Sequence, residues 1–238
     1  MFKLLSTANP KIQKGTKLGY LSFILHLAPA DLSGYETCPK RTQGCTAACL
    51  NTAGRGGMFR RGETTNVIQQ ARIRKTKYFF EDRAGFMDDL VSDIMRAVNY
   101  ARRRGLTPVF RLNGTSDIAW EKIPVSIDGH EVAPNIFSIF PHIQFYDYTK
   151  MLNRKTKAIP NYHLTFSRAD GNDADVGRAI QEGMNVAVVY DQIPEGVYSA
   201  DDTDLRFLDP KVHIIGLRAK GRAKKDTTGF VIRLKEAA

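Results

Sequence analysis

Short apolar segments recur along the chain, and helical patterns follow several of them. Each segment has the length of a strand and is rich in β-branched or aromatic residues, which is typical of strands buried in a parallel sheet. Strands that alternate with helices are the pattern of α/β proteins, so the sequence predicts an α/β fold. The six predicted strands are residues 20–27, 108–112, 143–146, 162–166, 185–189 and 212–216.

The remaining segments fit around these strands. Apolar residues four apart predict helices over residues 63–80 and 83–104. An Asp-Gly pair within residues 124–135 predicts an inserted β-hairpin, and residues 229–234 predict an added strand. With 238 residues, of which 42% are hydrophobic, the chain is long enough for one domain and its core. We therefore predict a single domain over residues 1–238, a partial (βα)6 TIM-like barrel with the hairpin as an insertion.

All three cysteines fall on the predicted loop after the first strand. Cys38, Cys45 and Cys49 form a C-x6-C-x3-C pattern, and the rest of the chain has no cysteine. Three cysteines are too few for a disulfide scaffold. Thiolates this close together can hold three irons of a [4Fe-4S] cluster, or can bind zinc with a fourth ligand such as His26. The alternative is that the cysteines pack as small core residues.

Polar residues gather after the other predicted strands. Because the carboxyl ends of parallel strands meet at one edge of a sheet, we expect these side chains to lie near the cysteines. Among them, Asp117, Asp147 and Lys150 are the candidate catalytic residues. The run from residue 113 to 117 is equally typical of a tight turn with a helix cap. The polar residues at the strand ends are Asn113, Thr115, Ser116, Asp117, Asp147, Lys150, Ser167 and Arg168.

Positive charge is spread over the whole chain. Lys and Arg number 35 against 25 Asp and Glu, which gives a net charge of +10. Basic runs in several segments favour a folded basic face and a polyanionic partner, for which nucleic acid is the commonest choice. The alternative is that the charge only keeps the protein in solution. The predicted nucleic-acid contacts are Arg55, Arg60, Arg61, Lys220 and Arg222.

No apolar run reaches the roughly 18 residues that a membrane span needs. The first residues are followed at once by polar ones, unlike a secretory signal peptide. We therefore expect a cytoplasmic protein without a membrane partner.

The chain resembles the bacteriophage protein family called gene product 88. The resemblance covers most of the chain, through the cysteine segment and residues 50–56, 111–121 and 146–150. It implies a phage origin, and hence a place in the infected host cell, but no reaction. More remotely, a strand followed by three cysteines and then by further strands and helices resembles radical S-adenosylmethionine enzymes. The cluster-binding cysteines of those enzymes follow the first strand of a six-stranded partial barrel, usually as C-x3-C-x2-C.

Together with the positive charge and the phage resemblance, the more remote resemblance predicts a phage enzyme that modifies nucleic acid, with DNA as the expected partner. The three cysteines would each ligate one iron of a [4Fe-4S] cluster, and S-adenosylmethionine would occupy the fourth iron. The cofactor would then be bound by residues at the strand ends. These are Asn113, Thr115, Ser116, Ser167 and Arg168.

Two alternatives stay open. The first is a barrel transglycosylase with zinc at the cysteines, which exchanges a base in DNA for a deazaguanine. In such an enzyme Asp117 and Asp147 would divide nucleophilic attack and proton transfer between them. The second is a phage protein without catalytic activity, in which zinc stabilises a basic DNA-binding loop.

Overall fold

A sheet with nine strands among the described residues lies at the centre of the fold. The computed structural model describes residues 3–7, 14–59, 63–127 and 129–234. Within these residues a large, mostly parallel sheet packs with several helices, which confirms the mixed α/β class predicted from the sequence. The strands are β1 (Leu5–Ser6), β2 (Tyr20–Leu25), β3 (Thr107–Arg111), β4 (Val125–Ile127), β5 (His130–Ala133), β6 (Gln144–Thr149), β7 (Tyr162–Ser167), β8 (Val186–Tyr190), β9 (Tyr198–Ser199), β10 (Ile214–Arg218) and β11 (Val231–Ile232).

Six of the parallel strands in this sheet are neighbours in sequence order, β2-β3-β6-β7-β8-β10. Antiparallel β1 flanks β2, and the short strand β9 pairs with β10. All six carboxyl ends therefore lie at the same edge, which we call the carboxyl edge. This sequential order is that of the predicted partial barrel. Closure of the sheet into a barrel stays a prediction.

The last strand joins the sheet beside the carboxyl edge. β10 pairs with β8 along all five residues of β8, so β7 and β11 share the other side of β8. Pairing with β7 involves Val186 and Ala187, and pairing with β11 involves Val189 and Tyr190. The carboxyl end of β7 thus pairs with the first residues of β8, and the C-terminal strand, predicted as an added strand, pairs with the last residues of β8.

The helices begin and end at recognisable caps. The Asn66 side chain accepts hydrogen bonds from two backbone N–H groups of the first turn, so the helix predicted from residue 63 begins at Val67. The next helix buries Phe86, Leu90 and Ile94, which belong to the row of apolar residues four apart that predicted it. The α-helices of at least five described residues are α1 (Gln43–Ala47), α2 (Val67–Glu81), α3 (Arg83–Arg102) and α5 (Asp173–Gln181). Between α3 and α5 lies α4 (Ile136–Ile139), which is a single helical turn.

The two faces of the sheet are covered differently. On one face Phe23, Phe110 and Phe145 of adjacent strands pack against one another, in the same apolar cluster as the buried side of α3. On the other face the hydroxyl of Tyr146 donates a hydrogen bond to Ser22 Oγ, and Tyr146 packs with residues 205–207. Neighbouring residues of one strand therefore point into different environments.

The hairpin predicted within residues 124–135 is present as antiparallel β4 and β5. Asp128, in its turn, lies outside the described residues. Among the helices that the structure describes, none is long and apolar enough to cross a membrane.

Candidate functional site

The cysteine loop, residues 38–49, lies over the carboxyl edge. Cys38 Sγ is 3.9 Å from the carbonyl oxygen of Thr115, which follows β3. On the far side of the loop, Asp170 after β7 accepts hydrogen bonds from the Thr42 hydroxyl and from the Gly44 N–H at 3.1 Å. The loop therefore spans from the end of β3 to the end of β7.

The three thiols are free and half-buried, and they lie close enough to influence one another. Burial raises the pKa of the Cys38 thiol, and neighbouring Cys45 adds to the rise. Burial also raises the pKa of Cys49 to about 11, against a smaller opposing effect from the Lys150 ammonium. A bound metal cation would lower these pKa values, because metals bind the thiolate form.

The described residues do not form an assembled metal site. Within the described part of the chain, no three His, Cys, Asp or Glu side chains lie close enough together to hold a metal ion. His26, the predicted fourth zinc ligand, packs against Gly114, and its buried Nδ1 has no hydrogen-bond partner among the described residues. Metal binding by the cysteines therefore stays a prediction.

Asn113 organises the loop that follows β3. Its backbone N–H donates to Asp147 Oδ1 at 2.7 Å, and its side-chain oxygen accepts from the Ser116 hydroxyl at 2.9 Å. The same oxygen accepts from the indole N–H of Trp120 at 3.1 Å. The Thr115 hydroxyl donates to the carbonyl of Leu27 at 2.5 Å. Asn113, Thr115 and Ser116 were predicted as cofactor ligands, but their polar side-chain atoms bind the protein itself and fix this loop.

Asp117 is the best placed of the predicted catalytic carboxylates. Its Oδ2 accepts from the backbone N–H of Lys150 at 2.8 Å, and its Oδ1 accepts from Arg154 at 3.3 Å. Burial raises the pKa of Asp117, and its charge reaches Cys38. Asp117 also lines a cavity of about 270 Å³ whose other walls are mainly the apolar side chains of Phe79, Phe80, Ile118, Ile123 and Met151.

Asp147 does not follow β6, as the sequence suggested, but lies within it. The strand continues to Thr149, so Asp147 is fully buried. Its Oδ2 accepts from the Tyr162 hydroxyl at 3.0 Å, and its Oδ1 accepts from the Asn113 backbone. Burial raises the pKa of Asp147 to about 7, and the charge of Arg111 opposes the rise. Asp147 thus supports the loop after β3 from below and does not face the cavity.

Lys150 and Ser167 meet at the carboxyl edge as predicted. Lys150 Nζ donates to Ser167 Oγ at 3.1 Å, and the same ammonium lies close enough to Cys49 to favour its thiolate. Arg168 is committed elsewhere, because its guanidinium binds Asp173 at 3.1 Å and the carbonyl of Phe230 at 3.3 Å. The predicted cofactor role therefore rests on Ser167, whereas Arg168 fastens β11.

The predicted nucleic-acid contacts come together in part. Arg55, Lys220 and Arg222 are exposed. The turn at Leu50–Thr52 contacts the turn at Gly221–Lys225, which brings the Arg55 and Arg222 segments side by side. Lys220 is partly neutralised by an ion pair with an aspartate at 3.0 Å. Arg60 and Arg61 lie outside the described residues.

Sequence reasoning missed two residues that support the site. Asp170 holds the cysteine loop across a separation of 126 residues. Arg154 forms a buried ion pair with Glu121, with both nitrogen–oxygen distances 2.6 Å, and its third nitrogen reaches Asp117. Position after a strand could have suggested Asp170, whereas the Arg154 pair is visible only in the folded chain.

Comparisons with known proteins identify the chain's family but no reaction. The family model described as gene product 88 matches residues 3–234, nearly the whole sequence, and fits the predicted bacteriophage origin. No curated protein and no solved structure matches the chain significantly. The resemblance to radical S-adenosylmethionine enzymes thus finds no support in these comparisons. The match over residues 3–234 shows that the chain belongs to the gene product 88 family.

Proposed function

We propose that this protein is an enzyme that modifies nucleic acid with S-adenosylmethionine and a [4Fe-4S] cluster, which Cys38, Cys45 and Cys49 would ligate. One observation carries the proposal. All three thiols belong to one loop over the carboxyl edge of six parallel strands, and Cys45 influences the ionisation of both Cys38 and Cys49. In α/β proteins this edge is where substrates and cofactors bind.

The donor set suits a cluster with one open iron, because three thiolates leave the fourth iron free for a substrate. When bound, the cluster would supply the electron for reductive cleavage of S-adenosylmethionine. Lys150 would pair with the carboxylate of that cofactor, since its ammonium lies between Ser167 and Cys49. Ser167 would orient the ammonium by accepting its hydrogen bond.

Asp117 would exchange a proton with the substrate. Burial raises the pKa of Asp117, which makes this carboxylate a better proton acceptor than an exposed one. The cavity beside it is lined by aromatic and aliphatic side chains, including Phe79 and Phe80. Such walls suit the flat apolar face of a base or of adenine.

Nucleic acid would reach this site along the basic surface formed by Arg55 and the turn at Gly221–Lys225. The Arg222 segment contacts the residues directly after Cys49, so the positive surface adjoins the cysteine loop. Contacts between this basic surface and the phosphates would hold the nucleic acid in place while a base enters the cavity beside Asp117.

The first experiment is the metal content and visible spectrum of protein purified without oxygen. We expect about four irons with sulfide per chain. Cys45→Ala should lose the metal, whereas Thr46→Ala, an exposed neighbour in the same helix, should keep it. Cluster-containing protein should then cleave S-adenosylmethionine when a reductant is supplied, and Asp117→Asn should keep the metal but lose modification of nucleic acid.

Other metal contents would overturn the cluster proposal in different ways. One zinc per chain without iron would support the zinc alternatives. Protein that contains no metal would support the alternative that the cysteines pack as small core residues. The transglycosylase would need two carboxylates that face the substrate, and Asp147 is fully buried with both oxygens bonded inside the protein. Zinc would therefore favour the DNA-binding protein over the transglycosylase.

A further inference from the structure

The cavity beside Asp117 combines apolar walls with a few charged side chains. Its volume of about 270 Å³ lies close to the lower end, about 300 Å³, of pockets that bind small ligands. Two of its walls are the aromatic rings of Phe79 and Phe80, and Tyr35 stacks on Phe80 with the ring centroids 4.6 Å apart. The size and the walls suit one flat ring, such as a nucleobase, with its sugar and phosphate outside.

The charged residues of the cavity wall differ in burial and in the hydrogen bonds that they already make. Both carboxylate oxygens of Glu36 accept hydrogen bonds, from a backbone N–H at 2.7 Å and from an arginine at 2.9 Å, and this side chain is 41% exposed. Arg83 is half-buried, and its Nε donates to the carbonyl of Phe79 at 2.6 Å. Asp117 is the buried member, with 8% of the residue exposed.

The Asp117 carboxylate can accept a further hydrogen bond. It accepts from the Lys150 N–H at 2.8 Å and, over a longer 3.3 Å, from Arg154. An ionised carboxylate has about four lone-pair positions and donates no hydrogen bond. A ligand N–H can therefore bind Asp117, whereas a ligand carbonyl oxygen would be repelled. At a buried carboxylate this difference is large, because water cannot replace the missing partner.

We propose that the cavity beside Asp117 takes a base with an exocyclic amino group, such as adenine or cytosine, and rejects uracil and thymine. The amino group would donate to the Asp117 carboxylate, and the ring would lie against the apolar walls. The ring N–H of uracil lies between two carbonyl oxygens, which the carboxylate repels. Arg83 can donate to a carbonyl, but water can replace that bond at a half-buried side chain, so the buried carboxylate decides the choice. This inference deepens the proposed function, on which it rests for the nucleic-acid substrate.

The test measures the affinity of the full chain for nucleosides by saturation-transfer NMR. Adenosine and purine riboside differ only in the amino group, and cytidine and pyrimidin-2-one riboside form a second such pair. We expect loss of the amino group to weaken binding about 10- to 100-fold in each pair, because the hydrogen bond to a charged acceptor is lost. Uridine should bind no better than pyrimidin-2-one riboside. Equal affinities within both pairs, or no binding of any nucleoside, would overturn the inference.

Asp117→Asn isolates the contact with the amino group. Asparagine keeps the shape of the side chain but loses the charge, so the two members of each pair should bind about equally. Asp202→Asn is the control, since its carboxylate is 92% exposed, and it should keep the full preference. A folded Asp117→Asn protein that keeps the preference would show that another group recognises the amino group.

Phe80→Ala covers the case in which Asp117→Asn does not fold. Removal of this wall should weaken adenosine binding at least about fivefold, whereas Phe59→Ala, at an exposed ring, should leave it unchanged. Unchanged adenosine binding in Phe80→Ala would mean that nucleosides bind elsewhere and would overturn the inference.

Nucleoside binding needs neither metal nor reductant, so this inference and the proposed function can fail separately. Metal-free protein that prefers the amino forms would contradict the cluster proposal and support the inference. Cluster-containing protein without the preference would contradict the inference alone.

Discussion

Gly114 lets the loop after β3 approach the end of β2. A Cβ at this position would lie 2.4 Å from His26 Nδ1 and 2.7 Å from a side-chain carbon of Ile24. We expect Gly114→Ala to lower the free energy of unfolding by about 1–3 kcal/mol, because overpacking forces the loop or the strand to shift. Urea denaturation gives this difference.

The control for this substitution is Gly177→Ala. Gly177 lies inside α5 with no atom within 4 Å of the position of an added Cβ. Alanine should stabilise this helix by about 0.5–1 kcal/mol. Equal effects of the two substitutions would show that the contact between Gly114 and His26 is not tight in solution.

Asp147 predicts a pH dependence of stability. Its pKa is raised by burial to about 7, so the folded protein keeps a proton that the unfolded chain releases from about pH 4 upward. The free energy of unfolding should therefore fall as the pH rises from about 4 to about 7, and this contribution should be constant above that window. In Asp147→Asn the side chain cannot ionise, so this fall should disappear. The difference between a pKa of about 7 in the folded protein and about 4 in the unfolded chain sets the upper limit of this fall at about 4 kcal/mol.

Urea unfolding of both proteins across this pH range checks the prediction. Asp202→Asn is the control, because its carboxylate is 92% exposed. Parallel stability curves for wild type and Asp147→Asn would mean that Asp147 is ionised in the folded protein throughout, with Arg111 compensating its burial.

At the scale of elements, periodicity predicted which segments are strands and helices, but not where each strand ends. β6 was expected to end at residue 146 and continues to Thr149. The extension places Asp147 opposite Leu164 inside the sheet, so a residue predicted for a catalytic loop became a buried support. Strand ends depend on pairing with neighbours distant in sequence, and a single-residue difference changes the face on which a side chain lies.

The cysteine loop could be predicted as a unit, whereas its anchors could not. Its position after the first strand followed from the strand pattern, since Cys38 comes soon after β2. Its contacts with Asp170 and with Phe230 join residues far apart in the chain. Only the folded arrangement of β7 and β11 brings these anchors together.

Phe230, at the start of β11, should keep α1 in place. Its Cβ lies 2.8 Å from the position of an added Cβ at Gly44, and it packs in the apolar cluster that Cys45 borders. Phe230→Ala would leave a cavity there. We expect a loss of about 3 kcal/mol in the free energy of unfolding and faster alkylation of the Cys45 thiol, read by mass spectrometry.

Leu234→Ala is the control for β11, because Leu234 lies beyond the strand and is 43% exposed. It should change neither the stability nor the rate of alkylation. If Phe230→Ala left the alkylation of Cys45 unchanged, the C-terminal strand would not hold the cysteine loop.

At the scale of the whole molecule, exposed arginines lie at both edges of the sheet, and those at the carboxyl edge adjoin the cysteine loop. Arg55 and Arg222 are exposed in segments that adjoin the cysteine loop at the carboxyl edge. Arg102 and Arg103 are exposed at the end of α3, before β3 begins, at the opposite edge. Reversal of either arginine pair to glutamate removes the same net charge, so a comparison of the two separates location from charge.

We expect Arg55→Glu with Arg222→Glu to weaken binding of a labelled DNA duplex at least about tenfold at low salt. Each lost phosphate contact should reduce the slope of log affinity against log salt by about 0.9, and hence by about 1.8 for the pair. Arg102→Glu with Arg103→Glu should change affinity much less, since those arginines lie far from the site. Fluorescence anisotropy over a range of salt concentrations measures both quantities. Equal losses of DNA affinity in the two double variants would mean that net charge attracts DNA without a defined binding face. This result would contradict the proposal that nucleic acid reaches the cavity along the basic surface.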